Sequence, residues 1–456
     1  MFDTKFIKNI FSIVPEKLRD RTFIVGGFVR DLLLDKPSND IDFLVINTTH
    51  KEMISLGFKL VGADFPVYID SEGNEFALAR KERKSGKGHL GFTSITENVT
   101  VFEDLMRRDF TINAMAIDCN GNLIDPYNGL FDLENGILKH VSMAFSEDPL
   151  RVLRLARFTA RFPSFNIDES TIKLAFSLKE ELKTLTSERI FKEMVKAFKS
   201  ERPDKFFRTL DQINVLDVVF PELFIMKDFE HNVLHHAEGS VLEHSLRVLM
   251  EARKASDKPE VLFAALFHDI GKPFCFKIGN TYKKHSAVDL VKEKLTELKK
   301  RISLPNSFFD LALNTASLHH KFHDFNLLNE KTILDMFEKK SFPKTSEGLM
   351  DLLIAIQSDS LGRATTEDMT ADILSFEENE ILFNIGEFSK GSSDYKKGIC
   401  DLDILLIIDI FEEILIKPNV LSFIEDSETN RGKKPSVGSI KNFVRRDKLK
   451  RIKKFL

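Results

Sequence analysis

The chain has 456 residues, enough for two to four domains of ordinary size. Hydrophobic residues make up 43% and charged residues 30%, a globular balance, and no apolar run reaches the roughly 18 residues of a membrane-crossing helix. The net charge of −4 argues against a generic nucleic-acid binder, and three widely spaced cysteines (Cys119, Cys275, Cys400) supply neither a disulfide framework nor a zinc finger and point to a reducing cytoplasm.

The start, MFDTKFIKNIFSIVPEKLRD, is amphipathic and too charged for a signal peptide. Residues 1–140 then read as α/β. FIVGG (Phe23–Gly27) is an apolar run closed by a glycine pair, and IDFLVI (Ile41–Ile46), NVTVF (Asn98–Phe102) and AMAID (Ala114–Asp118) are expected strands. Gly86, Gly88 and Gly91 mark a loop. From Ser146 helices dominate. SEDPLRVLRLARFTARF carries a serine N-cap, early acids and Pro149, the signals of a helix start. ERIFKEMVKAFKS, SVLEHSLRVLMEARKAS and EVLFAALFHDI follow at helical period, with FPEL (Phe220–Leu223) as a break and KIGNTYKKH as a loop. Residues 306 to about 425 again read as helical, with breaks at Gly348, Gly362 and Gly391–Ser393. The last 26 residues hold 11 Lys and Arg against one acid, Asp447, so a +10 tail follows a remainder of −14. Such a tail is either a footprint for polyanions or a solvated extension.

Two constellations carry chemistry. In IVGGFVRDLLLDKPSNDIDFLVI, a strand ends on two glycines and a helix opens, which leaves free backbone N–H groups suited to phosphate, with Arg30 three residues on. Asp40 and Asp42 sit at i and i+2 of a strand, so their carboxylates share a face and repel each other unless a divalent cation lies between them. Oxygen-only ligation suits Mg²⁺ and in-line phosphoryl displacement. RRDFTINAMAID places Arg108 to reach a triphosphate or sugar. Asp148, Arg151, Arg154 and Arg157 follow at spacing three, on one helical ridge without interleaved acids, an arrangement that calls for an external anion. Glu82, Glu103 and Asp104 are candidates for a third carboxylate.

The second constellation is histidine-rich. His244 lies on a helix, and FAALFHDIGKP ends an apolar helix on an exposed His268-Asp269 pair. These three side chains suit a divalent metal between helices, with His285, His319, His320 and His323 as further candidate ligands.

The ordered motifs GGFVRD, Asp40–Asp42, RRDFTINAMA, DPYNGLFDL, EDPLR and ERIFKE resemble the class II tRNA nucleotidyltransferases, or CCA-adding enzymes, from about residue 21 to at least residue 370. The stretch around His244 and His268-Asp269 resembles the HD phosphohydrolases appended to a bacterial multifunctional subgroup of them. The resemblance implies a mixed-sheet α/β nucleotidyltransferase head at 1–140, a helical neck and body with a base-reading helix at 141–238, an all-α HD domain at 239–342, and a helical tail with a basic extension at 343–456.

It further implies template-independent addition of C, C and A to tRNA 3′ ends from CTP and ATP, as a monomer or homodimer with no membrane contact. Gly27, Arg30, Arg108, Arg154 and Arg157 would bind the nucleotide. Asp40 and Asp42 would be catalytic and hold Mg²⁺, and Asp148 and Arg151 would read the base. Asp148 only accepts and Arg151 only donates, which suits the amine-bearing edges of C and A and rejects U and G. The HD segment would act as phosphatase, 2′,3′-cyclic phosphodiesterase and 2′-nucleotidase. The alternatives are a poly(A)-adding relative, or an HD hydrolase whose head merely binds nucleotide. Where the HD pattern asks for a later His-Asp, the chain has His319-His320. That departure leaves His244, His268 and Asp269 short of a carboxylate and predicts weak hydrolysis that needs a transition metal such as Ni²⁺.

Overall fold

The computed structural model describes residues 4–36, 40–61, 67–84, 92–229, 239–275, 277–278, 281–282, 286–339, 341–363, 404–415 and 435–455. They form two units, residues 1–219 and 220–456. Among the described residues no helix is long and apolar enough to cross a membrane. The loop glycines Gly86, Gly88 and Gly91, and His285, lie outside the described residues.

The first unit is built on a mixed sheet. Its strands are β1 (Thr22–Val25), β2 (Asp42–Val45), β3 (Lys59–Val61), β4 (Val67–Ile69), β5 (Glu75–Leu78), β8 (Ala116–Ile117) and β9 (Leu123–Ile124), and a separate hairpin pairs β6 (Lys81–Lys84) with β7 (Phe92–Ile95). The spatial order is β3-β4-β5-β2-β1-β8-β9. All four residues of β1 are buried, as a central strand demands. It runs antiparallel to β2 with Val25 opposite Asp42, and β2 runs parallel to β5 with Asp42 opposite Glu75. Phe23, Val25, Leu44, Val101, Leu105 and Ala116 fill the core beneath one face.

Gly26 joins β1 to the helix Gly27–Leu33 with φ at +76°, a conformation that favours glycine. A Cβ there would also stand 2.8 Å from Arg108 Nη1. The expected strand at Asn98–Phe102 is instead a loop and a helix start. Thr100 accepts from Glu103 N (3.3 Å) and the Glu103 carboxylate accepts from Thr100 N (3.0 Å), a reciprocal cap that opens the helix Val101–Met106 despite the β-branched residues. The DPYNGLFDL segment is a buttress. Asp125 accepts from Gly129 N and Leu130 N, Asp132 accepts from Thr111 Oγ1 (2.6 Å), and a Cβ on Gly129 would lie 2.2 Å from Thr111 O.

Helices follow. The ridge helix spans Leu150–Arg161 and packs against Ser187–Phe198 and Asp204–Gln212. Its cap differs from the expected one: Ser146 belongs to a preceding short turn, Met143–Glu147, and the Asp148 carboxylate accepts from Leu150 N (3.0 Å). Phe220 and Pro221 open a short helix, Pro221–Ile225, rather than only ending one.

In the second unit, Pro259–Leu266 and Ser346–Leu361 pack against each other and each against Val241–Ala255 and Asn306–His323. Gly348 lies inside the last of these, where Thr345 Oγ1 caps its N–H at 3.1 Å, while Gly362 ends it. The basic tail includes a helix, Val437–Ile452, that packs on Glu330–Phe337 and Ile404–Leu415. Arg445 pairs with Asp335 and Glu338, and Lys448 with Glu338 at 2.8 Å. Part of the tail's charge is therefore neutralised by its own chain, while Lys441, Arg446, Lys450, Lys453 and Lys454 stay exposed.

Candidate functional sites

One cleft in the first unit, of about 580 Å³, gathers residues from the GGFVRD, Asp40–Asp42, RRDFTINAMA, EDPLR and ERIFKE motifs. It is lined by Gly26 and Gly27, Arg30, Asp42, Arg108, Asp148 and the ridge arginines Arg151, Arg154 and Arg157. Asp42 opens β2 and Asp40 lies just before that strand, exposed and outside the lining. Desolvation by the cleft walls pushes the Asp42 carboxyl up, Arg108 opposes this, and the Asp40 and Glu75 charges add to the rise. A cluster of like charges of this kind fits a divalent cation, which would relieve the repulsion. Glu75 was not among the candidates for a third carboxylate. Its register opposite Asp42 puts both on one face of the sheet, whereas Glu103 is engaged in its cap and in a pair with Lys81 (2.5 Å). Asp104 is fully buried and grips Arg107 (2.7 Å) and Arg108 (3.3 Å).

Each ridge arginine already has a partner from elsewhere in the chain. Arg154 Nε donates to Asp109 Oδ2 (2.7 Å), and Arg157 Nε donates to Glu193 Oε2 (2.6 Å). Arg151 donates from Nη1 to Ala144 O (2.6 Å) and from Nη2 to Arg107 O (2.5 Å). The expectation that this ridge needs an external anion is thereby corrected: the acids come from neighbouring elements rather than from the helix itself. Burial alone would push the Asp109 carboxyl up, but Arg154, Asn113 and the Arg151 charge outweigh it and hold it at about 2. Arg30 is buried beside the Phe158 and Phe162 rings and donates to Asp31 Oδ1 (2.9 Å) and Asn113 Oδ1 (2.5 Å). Most of its donors therefore serve the fold. Asp148 meets Arg189 from the ERIFKE helix at 2.6 Å.

The second unit holds a buried histidine–aspartate cluster. Ligating atoms of His244, His268 and Asp359 lie within 4.8 Å of one another. His244 Nε2 is 3.0 Å from Asp359 Oδ1, and His323 Nε2 is 2.8 Å from Asp359 Oδ2. Asp269 Oδ2 stands 3.0 Å from His268 Nε2 and 2.5 Å from Lys272 Nζ. His319 Nε2 faces Asp269 Oδ1 at 3.8 Å. Burial penalises the charged forms of Asp269 and Asp359. Even so, His268 and Lys272 hold the first well below the usual carboxylate range, and His244 and His323 hold the second there.

Three expectations change at this cluster. The His268-Asp269 pair is buried rather than exposed. His320 is exposed and is not the stand-in for the fourth carboxylate. The carboxylate that faces His244 and His323 is Asp359, from the helix Ser346–Leu361. Its signal was an acid at i+3 and i+7 from Ile356 and Leu352, on the buried stripe of an apolar helix, where an unpaired charge is costly. The donor set of two imidazoles and two carboxylates, closed off from solvent, fits a divalent metal.

Three family models match along the chain. The Poly A polymerase head domain family matches residues 22–139, the family described as the probable RNA and SrmB-binding site of polymerase A matches residues 164–226, and the HD domain family matches residues 241–341. A Multifunctional CCA protein of Pseudoalteromonas atlantica is 40% identical over 355 residues, covering 76% of this chain and 87% of the relative. The chain belongs to the multifunctional CCA protein family. Solved CCA-adding enzymes share the fold. One in complex with CTP aligns with a TM-score of 0.57 at 20% identity over 99% of this chain and 94% of its own. The Thermotoga maritima enzyme complexed with tRNA aligns with a TM-score of 0.52 at 21% identity over 97% and 94%. Membership makes the chain a nucleotidyltransferase, and its head and HD domains imply dependence on divalent metal.

Proposed function

We infer that this protein adds C, C and A to the 3′ end of tRNA from CTP and ATP without a nucleic-acid template. The observation that carries this reading is the single cleft lined by Asp42, Arg108, the arginine ridge and Asp148. The 3′-hydroxyl of the tRNA attacks the α-phosphorus, the bond to the bridging oxygen breaks, and pyrophosphate leaves. Asp40 and Asp42, with Glu75 beside them, would hold Mg²⁺, which when bound neutralises phosphate charge and favours the attacking alkoxide. Arg108, Arg154 and Arg157 would carry the triphosphate. Asp109 and Glu193 fix the last two guanidiniums in place beforehand, so little ordering is left for substrate binding. Gly27 would let the nucleotide approach bare backbone. Asp148 accepts from the exocyclic amine that C and A share and that U and G replace with a carbonyl.

The buried cluster supports a second activity, hydrolysis of phosphate esters at RNA ends, including 2′,3′-cyclic phosphates. His244, His268, Asp269 and Asp359 would hold a transition metal such as Ni²⁺, which when bound polarises the ester and activates water. With Asp359 as a ligand the site would not be short of a carboxylate, which removes the ground for expecting weak turnover. The test of the main reading is primer extension on tRNA ending before CCA with labelled CTP, then ATP. C, C and A are expected in that order, with UTP and GTP refused. No labelled product in the presence of Mg²⁺ would refute it.

A further inference from the structure

We propose that Phe102, Met106 and Met143 form a stacking platform at the rim of the head cleft for the unpaired 3′ end of the RNA being extended, a role that rests on the nucleotidyl-transfer reading above. The helix Val101–Met106 is apolar on two faces. Val101 and Leu105 sink into the head core, as the inner stripe of a surface helix does. Phe102 and Met106, at i and i+4, share an outer face where polar residues are usual, yet they are 53% and 46% exposed. Met143 opens the turn Met143–Glu147 and is 67% exposed. Backbone bonds set the three in one row. Ser142 Oγ donates to Met106 O at 2.8 Å, so the residue before Met143 is fastened to the end of the helix. The Arg151 guanidinium then clasps the residue after each methionine: Nη1 donates to Ala144 O (2.6 Å) and Nη2 to Arg107 O (2.5 Å). Met106 and Met143 are therefore neighbours, and Arg107 and Arg151 beside them line the cleft. Tyr127 Oη donates to Phe102 O at 3.0 Å and steadies the far end of the row.

Large apolar side chains gathered in the open mark a surface that meets a partner. The neighbourhood selects which one. The row adjoins a cleft walled by arginines. A ligand that gives phosphates to arginines and flat apolar faces to the row is a polynucleotide with unstacked bases. A nucleotidyltransferase seats the acceptor's 3′ nucleotide beside the incoming one, and each transfer adds one more unpaired nucleotide to be held there. Bases inside a duplex are stacked on one another, so the unpaired end is the part of the RNA that this row can grip. A phenylalanine ring stacks on any base, and the flexible methionine thioether adapts to bases of different size. Such a platform is indifferent to sequence. That suits a position that receives the RNA's own last base and then each base just added.

The experiment uses the full chain and tRNA ending before CCA in two forms, one natural and one whose last nucleotide is abasic. Binding is read without triphosphate, so that no incoming base supplies a stacking partner. The unaltered protein is expected to bind the abasic form about tenfold more weakly, the scale of one base on an aromatic platform. In the triple variant Phe102→Ser, Met106→Ser, Met143→Ser the two forms are expected to bind within about threefold of each other. The salt dependence is expected to stay as it was, because no phosphate contact is removed. Should the triple variant fail to fold, Phe102→Ser alone decides by the same threshold, since it removes the one ring of the row. A ratio under about threefold in the unaltered protein overturns the proposal, and so does a larger ratio that persists in the variant. A changed salt slope overturns it too, because the loss then belongs to displaced phosphates. If the row instead joins two copies of this chain, sedimentation shows a dimer that the variant turns into monomer while the tRNA ratio stays put, which defeats the proposal. Failure of the unaltered protein to transfer CMP strikes at the nucleotidyl-transfer reading, a result separate from the binding ratio.

Discussion

The head cleft and the HD cluster solve the same electrostatic problem in opposite ways. The cleft is cationic and open, and each ridge charge is balanced by an acid or carbonyl drawn from another element: Arg154 by Asp109, Arg157 by Glu193, Arg151 by two backbone oxygens. The HD cluster is buried, and its histidines and aspartates balance one another within a few ångströms. An open site of the first kind admits a large, mobile polyanion and holds its charges ready. A buried site of the second kind sets its donor atoms close enough to hold an ion. The difference teaches that charge count says little about a site until the partners of each charge are known.

Separate substitutions break the comparison at either end. Asp42→Ala is expected to lower CMP transfer by about a thousandfold or more while phosphate release from a 2′,3′-cyclic nucleotide stays within about twofold, both read on one preparation. Retained transfer under Mg²⁺ would remove Asp42 from the metal site. Asp359→Asn is the mirror experiment. It should cut metal-dependent hydrolysis by about a hundredfold and leave CCA addition untouched, with activity followed across Mg²⁺, Mn²⁺, Co²⁺ and Ni²⁺. Hydrolysis at the original rate would show that the carboxylate only orients His244 and His323.

Two smaller effects sharpen the contrast. Asp109 has its carboxyl lowered to about 2, against about 3.9 in an unfolded chain. The lowered value stabilises the fold in full above pH 4, and the benefit fades as pH falls from about 4 through about 2. Asp109→Asn should therefore cost about 2 kcal/mol at pH 7, read from urea midpoints, and the gap to the unaltered chain should narrow by pH 3. A gap that widens in acid would contradict the linkage. The smallest effect belongs to the tail helix. Replacing exposed Arg446, Lys450, Lys453 and Lys454 with Gln should weaken tRNA binding about threefold to tenfold at low salt and flatten the salt dependence. An unchanged salt slope would make this helix a brace only.

The head was legible where chemistry and local pattern coincide. GGFVRD and Asp40–Asp42 each combine an apolar run with an unusual polar ending, and β1 and β2 form at those positions. NVTVF misled because β-branched residues suggest a strand, while the Thr100–Glu103 reciprocal cap settles a helix. The partners of the ridge arginines were hidden because they lie 45 and 36 residues away along the chain. Asp359 was harder still. It stands 115 residues beyond His244, and a lone acid in an apolar helix does not announce what it faces. Periodicity reveals which side of a helix is buried, but not which distant group meets it there.

Arg189 and Glu193 stand one turn apart on Ser187–Phe198, and they hold Asp148 and Arg157, nine residues apart across the neighbouring segment. Two fastenings at separated points oppose both sliding and rolling of that segment against the helix that carries Arg189 and Glu193.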